Sequence, residues 1–477
     1  MTPRAALISS GIASGIASGL VIACDADPAD ACPGWTALHD NRCVLRAWTI
    51  SGPDDALSEP GAREVQLAVG VDDEALVAWA DADLEHGHVV LAQSTGTSLG
   101  AQWDLMALVG AQGVGLEPAL ALGPNGEALV AWKQQDTGSA IYLATRDRDR
   151  HWRLPESPIS WGDTAYEPRV DFGRDGEAFV LWNQWTGANF GVALAQRSAG
   201  ASDFAVPADN DALLSAAVNY ANAPRLAVGT EGEALITWYQ APVADLMVFV
   251  SERRGSDAAF GRAAADDFIS APGGPVDSHA EANAWPALHS SGAAAVVWTQ
   301  QQRGPWEIAV YLARRDPDGT WHRPASRDDT LSEPGGFARC PTAAFAPDGA
   351  LVVTWYETRD GDTAVFVQHG DAAAVEPLRL SANAVEAVHP ALAIDDGGNA
   401  IVVWAENDQS APDTWRVVAR RYQSQEQRWL EAETISTPQA GLAPTPVLDV
   451  SPTTGAVMAA WAQGGVTDGR VHLSVLP

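Results

Sequence analysis

The chain has 477 residues, and its 61 acidic against 29 basic residues give a formal net charge of −32. An acidic surface of this size repels nucleic acid and anionic membrane faces, which argues against both as partners. The charge is compatible with metal ions, with neutral sugars and with simple solubility.

The first 23 residues have the pattern of an export signal, because Arg4 is the only charge in them and residues 5–23 are apolar with interspersed Gly and Ser. The string Val21-Ile22-Ala23-Cys24 resembles a bacterial lipobox, which implies cleavage before Cys24 and attachment of lipid to its thiol. An ordinary signal peptide is the alternative. Residues 1–23 are therefore predicted to be a lipoprotein signal peptide. The exported protein would be held by acyl chains, facing the periplasm or the cell surface.

Residues 24–43 are predicted to form a lipidated tether. Cys32 and Cys43 bracket a short loop with Pro and Gly, and an exported segment meets oxidising conditions. A disulfide between them is expected. Cys340 precedes Pro341 at the start of a predicted strand and is interpreted as a small buried hydrophobe.

From residue 44 to 477 the chain repeats one unit eight times, and each unit has an apolar run that ends on a Trp. These are Trp79, Trp132, Trp182, Trp238, Trp298, Trp355, Trp404 and Trp461. Two positions later stands an acid or amide, namely Asp81, Gln134, Gln184, Gln240, Gln300, Glu357, Glu406 and Gln463. A spacing of 49 to 60 residues is typical of propellers and solenoids.

The unit that follows Glu117 shows the expected strands. Residues 118–123 and 127–132 are apolar runs separated by the turn Pro124-Asn125-Gly126. Residues 140–146 alternate as a third strand, and residues 152–159 form a fourth. Four short strands joined by tight turns predict an antiparallel meander.

The last unit reaches Pro477 directly after its third strand, whereas residues 44–51 form an extra strand-like segment before the first unit. Trp48 in this segment matches the aromatic residue that opens most fourth strands. Residues 44–51 are therefore expected to complete the last blade and close a ring without open edges. The prediction is an all-β fold, an eight-bladed β-propeller of four-stranded antiparallel blades over residues 44–477. Seven blades is the alternative.

The turn Asp316-Pro317-Asp318-Gly319-Thr320-Trp321 resembles the Asp-box of sialidase-type propellers, Ser-x-Asp-x-Gly-x-Thr-Trp. Gly319 lies one place late, and Arg314 replaces the Ser. The chain also resembles repeat lipoproteins of high-GC bacteria. The resemblance implies a sialidase-like propeller, but the Phe/Tyr-Arg-Ile-Pro motif that carries one of the sialidase arginines is not found. No other catalytic motif is recognised.

The repeated Trp is predicted to fill the gap between blades, since both faces of a blade pack on neighbours. The acid or amide after it either satisfies backbone groups at a strand end or lines a ligand-binding rim on the face of the second-to-third strand loops. Residues that break the repeat are better candidates. The binding residues predicted are Gln134, Gln184, Trp185, Gln240, Gln300, Arg303, Trp306, Tyr356, Glu357, Arg359, Glu406 and Asp408.

The leading hypothesis is a lipid-anchored propeller without catalysis that binds a protein or a carbohydrate at the cell envelope. The alternative is a diverged sialidase-like glycoside hydrolase or lyase that uses Glu357, Glu406 or Asp408, and it requires two carboxyl groups facing each other with one raised pKa. A purely structural protein is the third reading. No cofactor is predicted, although acids in the turns, such as Asp175, Glu231, Asp348, Asp395 and Asp396, could hold calcium.

Overall fold

The computed structural model describes residues 36–477 apart from 40–41, 82–86, 95–101, 109–112, 216–219, 231, 242–244, 256–257, 265–266, 273, 277–283, 305, 371–375, 384, 409 and 466. The chain divides into two units, Met1–Ala47 and Trp48–Pro477. In the first unit, Thr36–His39 pairs antiparallel with Arg42–Leu45 as a hairpin. Cys24 and Cys32 lie outside the described residues. Within the described part of the chain, no helix is long and apolar enough to cross a membrane.

The second unit is built of β-strands, with two short 3-10 turns at Val71–Asp73 and Asn210–Ala212. Its described residues form eight successive antiparallel meanders, numbered here as blades 1 to 8 in chain order. One parallel bridge, Ile308 to Phe337, also joins blades 5 and 6. The all-β propeller of antiparallel blades is therefore confirmed.

The innermost, or first, strands of blades 1 to 8 are Ala62–Val69, Val114–Leu122, Ala165–Phe172, Ala221–Val228, Trp285–Leu288, Phe337–Phe345, Val385–Ile394 and Val447–Val450. The second strands are Ala75–Asp81, Ala128–Gln135, Ala178–Trp185, Ala234–Gln240, Ala294–Gln301, Leu351–Arg359, Ala400–Asp408 and Val457–Gln463. The third strands are Val89–Ser94, Ser139–Arg146, Phe190–Arg197, Met247–Arg253, Ile308–Arg315, Asp362–His369, Thr414–Gln423 and Arg470–Leu476.

The fourth strands are short and less regular. They are Trp103–Leu108 in blade 1, Trp152–Arg153 in blade 2, Trp321–His322 in blade 5, Leu378–Arg379 in blade 6 and Arg428–Trp429 in blade 7. In blade 7, Glu433–Thr434 and Gln439–Ala440 also pair with the third strand. Single bridges, Gln196 to Ala205 and Phe249 to Phe268, take this place in blades 3 and 4.

The N-terminal segment of the second unit lies along the third strand of blade 8. The Thr49 N–H donates to the Val475 carbonyl at 2.9 Å, and the Val475 N–H donates to Thr49 Oγ1 at 2.8 Å. Trp48, in this segment, is buried. The closing segment is shorter than predicted, because Val44 and Leu45 pair within the first hairpin instead.

Blades 1 and 8 meet and close the ring. Trp79 of blade 1 shares a buried cluster with Ala460 and Val471 of blade 8. The backbone N–H of Val69 donates to Asp449 Oδ2 at 2.7 Å across this seam. A closed ring leaves no blade face open to water, which is why eight interlocked meanders form one structure.

The eight repeated Trp are the core of the blades, as predicted. Seven of them have no exposed surface, and Trp79 is 3% exposed. In blades 2 to 8 each indole N–H donates to the acid or amide two residues later, over 2.9 to 3.4 Å. Residues i and i+2 of a strand share a face, so the second side chain can satisfy the buried indole.

Gln184 illustrates this role, because its amide also donates to the carbonyl of Trp161 at 2.7 Å. The variant Gln184→Leu is expected to lower the free energy of unfolding by about 1–3 kcal/mol, since it leaves the indole of Trp182 and a buried carbonyl without partners. Urea denaturation measures the change. Gln135→Leu, at an exposed strand end, is the matched control. Equal losses in both variants would contradict a stabilising role for the hydrogen bonds of Gln184.

Four buried arginines form ion pairs that join blades 1 to 5. Arg146, Arg197, Arg253 and Arg315 end the third strands of blades 2 to 5 and reach glutamates of the preceding blade. Arg146 contacts Glu74 at 2.6 Å, and neither side chain is more than 4% exposed. We call these four pairs the arginine belt. Arg146, Arg253 and Arg315 also donate to the carbonyls of turn glycines in their own blades.

Candidate functional site

The first strands surround the central channel, and a β-bulge interrupts most of them near its mouth. The residue in the bulge has a positive φ, for example 52° at Glu117 and 54° at Glu167. The Glu167 N–H donates to Glu117 Oε2 at 2.7 Å, and the Ala223 N–H donates to Glu167 Oε2 at 2.9 Å. These carboxylates clasp neighbouring blades and bring negative charge to the mouth.

The residue 13 positions before the repeated Trp occupies the same place in the first strand of blades 1 to 7. Blades 3 to 5 carry a larger side chain at this place than the other blades do. Arg169 and Arg225 occupy it in blades 3 and 4, and Trp285 occupies it in blade 5. Blades 1, 2, 6 and 7 carry the smaller or uncharged Gln66, Ala119, Thr342 and Ala391. Blades 3 and 4 therefore place two arginines in one sector of the ring.

The two arginines of this sector repel each other, and each has a hydrogen-bond donor without a partner. Burial lowers the pKa of both guanidinium groups, and the charge of Arg169 helps lower that of Arg225 to about 9, while Glu167 opposes both shifts. The Nε atoms of both arginines are buried without a hydrogen-bond partner. Arg225 also lies 5.7 Å from the ring of Trp285. A pKa of about 9 keeps Arg225 charged at neutral pH, and two neighbouring guanidinium groups favour an anionic or hydroxyl-rich ligand.

Four aromatic side chains, Tyr166, Trp185, Phe190 and Tyr220, form what we call the aromatic patch. The ring of Phe190 lies 4.6 Å from Tyr166, 5.0 Å from Trp185 and 5.9 Å from Tyr220. Tyr220 is 41% exposed. Burial, followed by the hydrogen bond with Tyr220 and the charges of Glu167 and Glu117, raises the pKa of Tyr166, so the patch adjoins the clasping carboxylates.

Two aspartates lie deeper in the channel. Burial raises the pKa of Asp171 to about 7 and that of Asp449 to about 6, and Asp449 adds to the shift of Asp171. Blades 3 and 8 are not neighbours in the ring, so this interaction acts across the channel. Each carboxylate accepts the N–H of the residue that follows it, at 2.8 Å.

These raised pKa values make stability depend on pH. Between about pH 4 and 7 the folded protein holds protons that the unfolded chain releases, so this pair contributes stability that is lost as the pH rises through that window. The difference in stability between Asp171→Asn and the wild type is therefore expected to favour the variant more at pH 8 than at pH 5. Denaturation midpoints at both pH values test this. Asp175→Asn, at an exposed turn, should show no such difference.

The amides of the predicted rim are placed inside the blades. Gln134, Gln184, Gln240 and Gln300 are at most 5% exposed and accept the N–H of their own Trp, so the structure does not place them where they could line an open rim. Their structural role explains why every unit places an acid or amide at this position.

The other predicted residues fall into separate places. Of these, Trp185 belongs to the aromatic patch. Trp306 is 78% exposed, and Arg303 pairs with Asp328 at 2.6 Å, both in the second-to-third strand loop of blade 5. Tyr356 is buried with its ring against His389.

The acids named for the enzymatic alternative are held by local partners. Burial raises the pKa of Glu357 to about 7, yet this carboxylate accepts from Trp355 and pairs with Arg359. Glu406 pairs with Arg416 at 2.6 Å. Asp408 is exposed, and hydrogen bonds from Ser410 hold its pKa below the usual value.

The site residues that sequence reasoning missed are Arg169, Arg225, Asp171, Asp449, Tyr166, Phe190 and Tyr220. Alignment of the units on their Trp could have found the first two, because Pro168-Arg169 and Pro224-Arg225 stand at the same offset. The aromatic patch has no such signal. Three of its members lie on the three strands of blade 3, and Tyr220 directly precedes the first strand of blade 4.

Among the described residues, one group of three metal-ligating side chains lies together, in the third-to-fourth strand turn of blade 2. Asp147, Asp149 and His151 are all exposed there. Asp147 Oδ1 accepts the N–H groups of Asp149 and His151 at 3.0 and 2.9 Å, which is ordinary turn chemistry.

No family model matches this chain, and no curated protein matches it. Among solved structures it is similar to an ulvan lyase bound to -[GlcA(1-4)Rha3S]-, with 8% identity, a TM-score of 0.46, and coverage of 88% of this chain and 94% of that one. It is also similar to the β-propeller domain of the Trilobed protease from Pyrococcus furiosus, with 7% identity, a TM-score of 0.42, and coverage of 80% and 97%. A Hadza microbial sialidase shows 11% identity, a TM-score of 0.37, and coverage of 88% and 66%. At these values the likeness is one of fold and carries nothing about ligand or reaction.

Proposed function

We propose that this protein is a binding propeller of the cell envelope that holds a glycan at the channel mouth of blades 3 to 5. The observation that supports the proposal is that Tyr166 of the aromatic patch, Arg169 and Arg225 all lie close enough to Glu167 for its charge to act on them. Exposed rings pack on the apolar faces of sugars, and charged groups beside them hydrogen-bond to sugar hydroxyls.

The net charge of the protein also bears on which ligand the mouth can bind. A surface with net charge −32 disfavours polyanions at long range, whereas two guanidinium groups and two clasping glutamates offer both donors and acceptors at short range. A hydroxyl-rich chain can use both kinds of group. The proposal therefore favours a glycan over a protein partner.

Attachment through Cys24 is part of the same proposal and rests on the string Val21-Ile22-Ala23-Cys24. Acyl chains on the mature N-terminus would keep the propeller at the membrane. Cys24→Ala is expected to move the protein from the membrane fraction to the soluble fraction. Retention in the membrane fraction would contradict lipid attachment.

The double variant Trp185→Ala/Tyr220→Ala is expected to weaken glycan binding by about tenfold or more, because buried aromatic contacts are the usual energetic centres of a binding site. A glycan array identifies the ligand, and isothermal titration calorimetry measures its affinity. Trp306→Ala is the matched control, since Trp306 is exposed outside the patch. If the full-length protein binds peptides but no glycan on such arrays, the proposal is wrong.

A second candidate function is a glycan hydrolase or lyase that uses the aspartates of the channel. The raised pKa values of Asp171 and Asp449 favour it, because a carboxyl that is protonated near neutral pH can act as a general acid. Turnover of a bound polysaccharide that Asp171→Asn abolishes, with binding unchanged, would support this function over simple binding.

A further inference from the structure

A polar cleft opens between blades 6 and 7, on the face opposite the channel mouth. Its lining includes Asp348, His369, Asp396, Tyr422, Ser424 and Gln427. The first-to-second strand turns of the two blades supply the two aspartates, and the third strands supply the two rings. The His369 and Tyr422 rings meet edge to face at 4.2 Å.

The arginine belt shows what this kind of crevice holds elsewhere in the ring. Between blades 3 and 4, Arg253 fills the equivalent space, pairs with Glu177 at 2.6 Å and lies 5.0 and 5.6 Å from the rings of Phe179 and Phe260. Its partner in the strand pairing is Ala234, four residues before Trp238.

The same register places Tyr422 at the arginine position of blade 7, opposite Ala400. In three of the four belt pairs the glutamate stands five residues before the repeated Trp, and in blade 6 this position is Ala350. The ion pair of the belt is therefore missing from this crevice, where Tyr422 stands in place of the arginine and lines the cleft. Tyr422 also packs against Trp429, the aromatic residue that opens the fourth strand.

The charge of the cleft suits a cation. Asp348 and Asp396 are exposed carboxylates, and no arginine or lysine is among the described residues that line the cleft. Burial lowers the pKa of His369, against the opposing effect of Asp348, so the imidazole is neutral at pH 7. Burial raises the pKa of Tyr422, which keeps its ring uncharged as well.

We propose that the cleft between blades 6 and 7 binds a guanidinium group from outside the chain. This group would take the place that belt arginines fill in the four crevices from blade 1 to blade 5. The carboxylates of Asp348 and Asp396 would pair with its N–H groups, and the ring of Tyr422 would pack on its face. A planar cation with several donors fits two carboxylates and a ring better than an ammonium does. The site is independent of glycan binding at the mouth.

The test is calorimetric titration of the full-length protein with butylguanidine, using butylurea as the neutral ligand of the same shape. Butylguanidine is expected to bind and butylurea is not. Asp348→Asn is expected to weaken binding by about tenfold, because it removes one charged partner. Asp175→Asn, in the equivalent turn of blade 3, should leave the affinity unchanged.

The variant Tyr422→Arg/Ala350→Glu restores the belt pair inside the crevice. It is expected to abolish binding of butylguanidine while leaving the protein folded, as judged by an unchanged or raised Tm. The peptide acetyl-Ala-Arg-Ala-amide distinguishes the source of the group, since tighter binding than that of butylguanidine would assign a protein arginine. The inference is overturned if butylguanidine does not bind, or if it binds the wild type and the filled variant equally.

Discussion

Arg146→Met is expected to lower the free energy of unfolding by about 3–5 kcal/mol, because it removes the main partner of the buried Glu74 carboxylate, which is left with the half-exposed Arg150 at 3.6 Å. The guanidinium of Arg146 has no exposed surface and holds Glu74 of the neighbouring blade at 2.6 Å. It also donates to the Gly126 carbonyl at 2.8 Å. Equilibrium denaturation in urea measures the loss.

The matched control is Arg148→Met, which removes the same side chain two residues later. Arg148 is 56% exposed and lies 3.5 Å from Glu127, so its loss should cost about 1 kcal/mol or less. The double variant Arg146→Met/Glu74→Leu should recover much of the stability, since two apolar side chains leave no buried charge. If Arg146→Met costs no more than Arg148→Met, the belt does not hold the blades together.

Trp298→Ala is expected to cost about 3–5 kcal/mol, the usual range for deleting a large ring from a packed core. Trp298 is fully buried, shares a cluster with Tyr239 and Val248 of the preceding blade, and stacks on Tyr311 at 6.0 Å. Its deletion also leaves Gln300 without the indole N–H that it accepts at 3.1 Å.

Trp306→Ala is the control for this prediction, because the same side chain is removed from a site that is 78% exposed. Its effect on stability should be within about 0.5 kcal/mol. Thermal and urea denaturation of both variants give the comparison. A loss for Trp298→Ala as small as that of the control would mean that the repeated Trp does not hold blades 4 and 5 together.

The repeated blade could be predicted from the sequence because it depends on interactions between residues close together in the chain. The apolar run before each Trp and the acid or amide after it form one second strand, and the residues two apart satisfy each other within that strand. The closing segment was predicted from the unit count and from Trp48, although Val44 and Leu45 belong to another hairpin. Such features depend on spacing along the chain.

The residues of the candidate site could not be predicted from the sequence in the same way. The acid or amide two residues after each Trp suits a rim and a core equally well, and only its burial distinguishes the two roles. The pairing of Arg169 with Arg225, and of Asp171 with Asp449, joins residues that are 56 and 278 positions apart in the chain. Their interaction depends on how the ring curves around the channel.

The sequence by itself therefore determined the blade, the number of repeats and the role of the Trp, since strand periodicity and turn residues act over a few positions. Only the tertiary structure decided which exceptions to the repeat meet. Packing between blades 3 and 4 brings Arg225 and Tyr220 close to Arg169 and Phe190, and packing between blades 6 and 7 forms the crevice in which Tyr422 stands in place of an arginine. Those contacts arise from packing between blades, which no local pattern encodes.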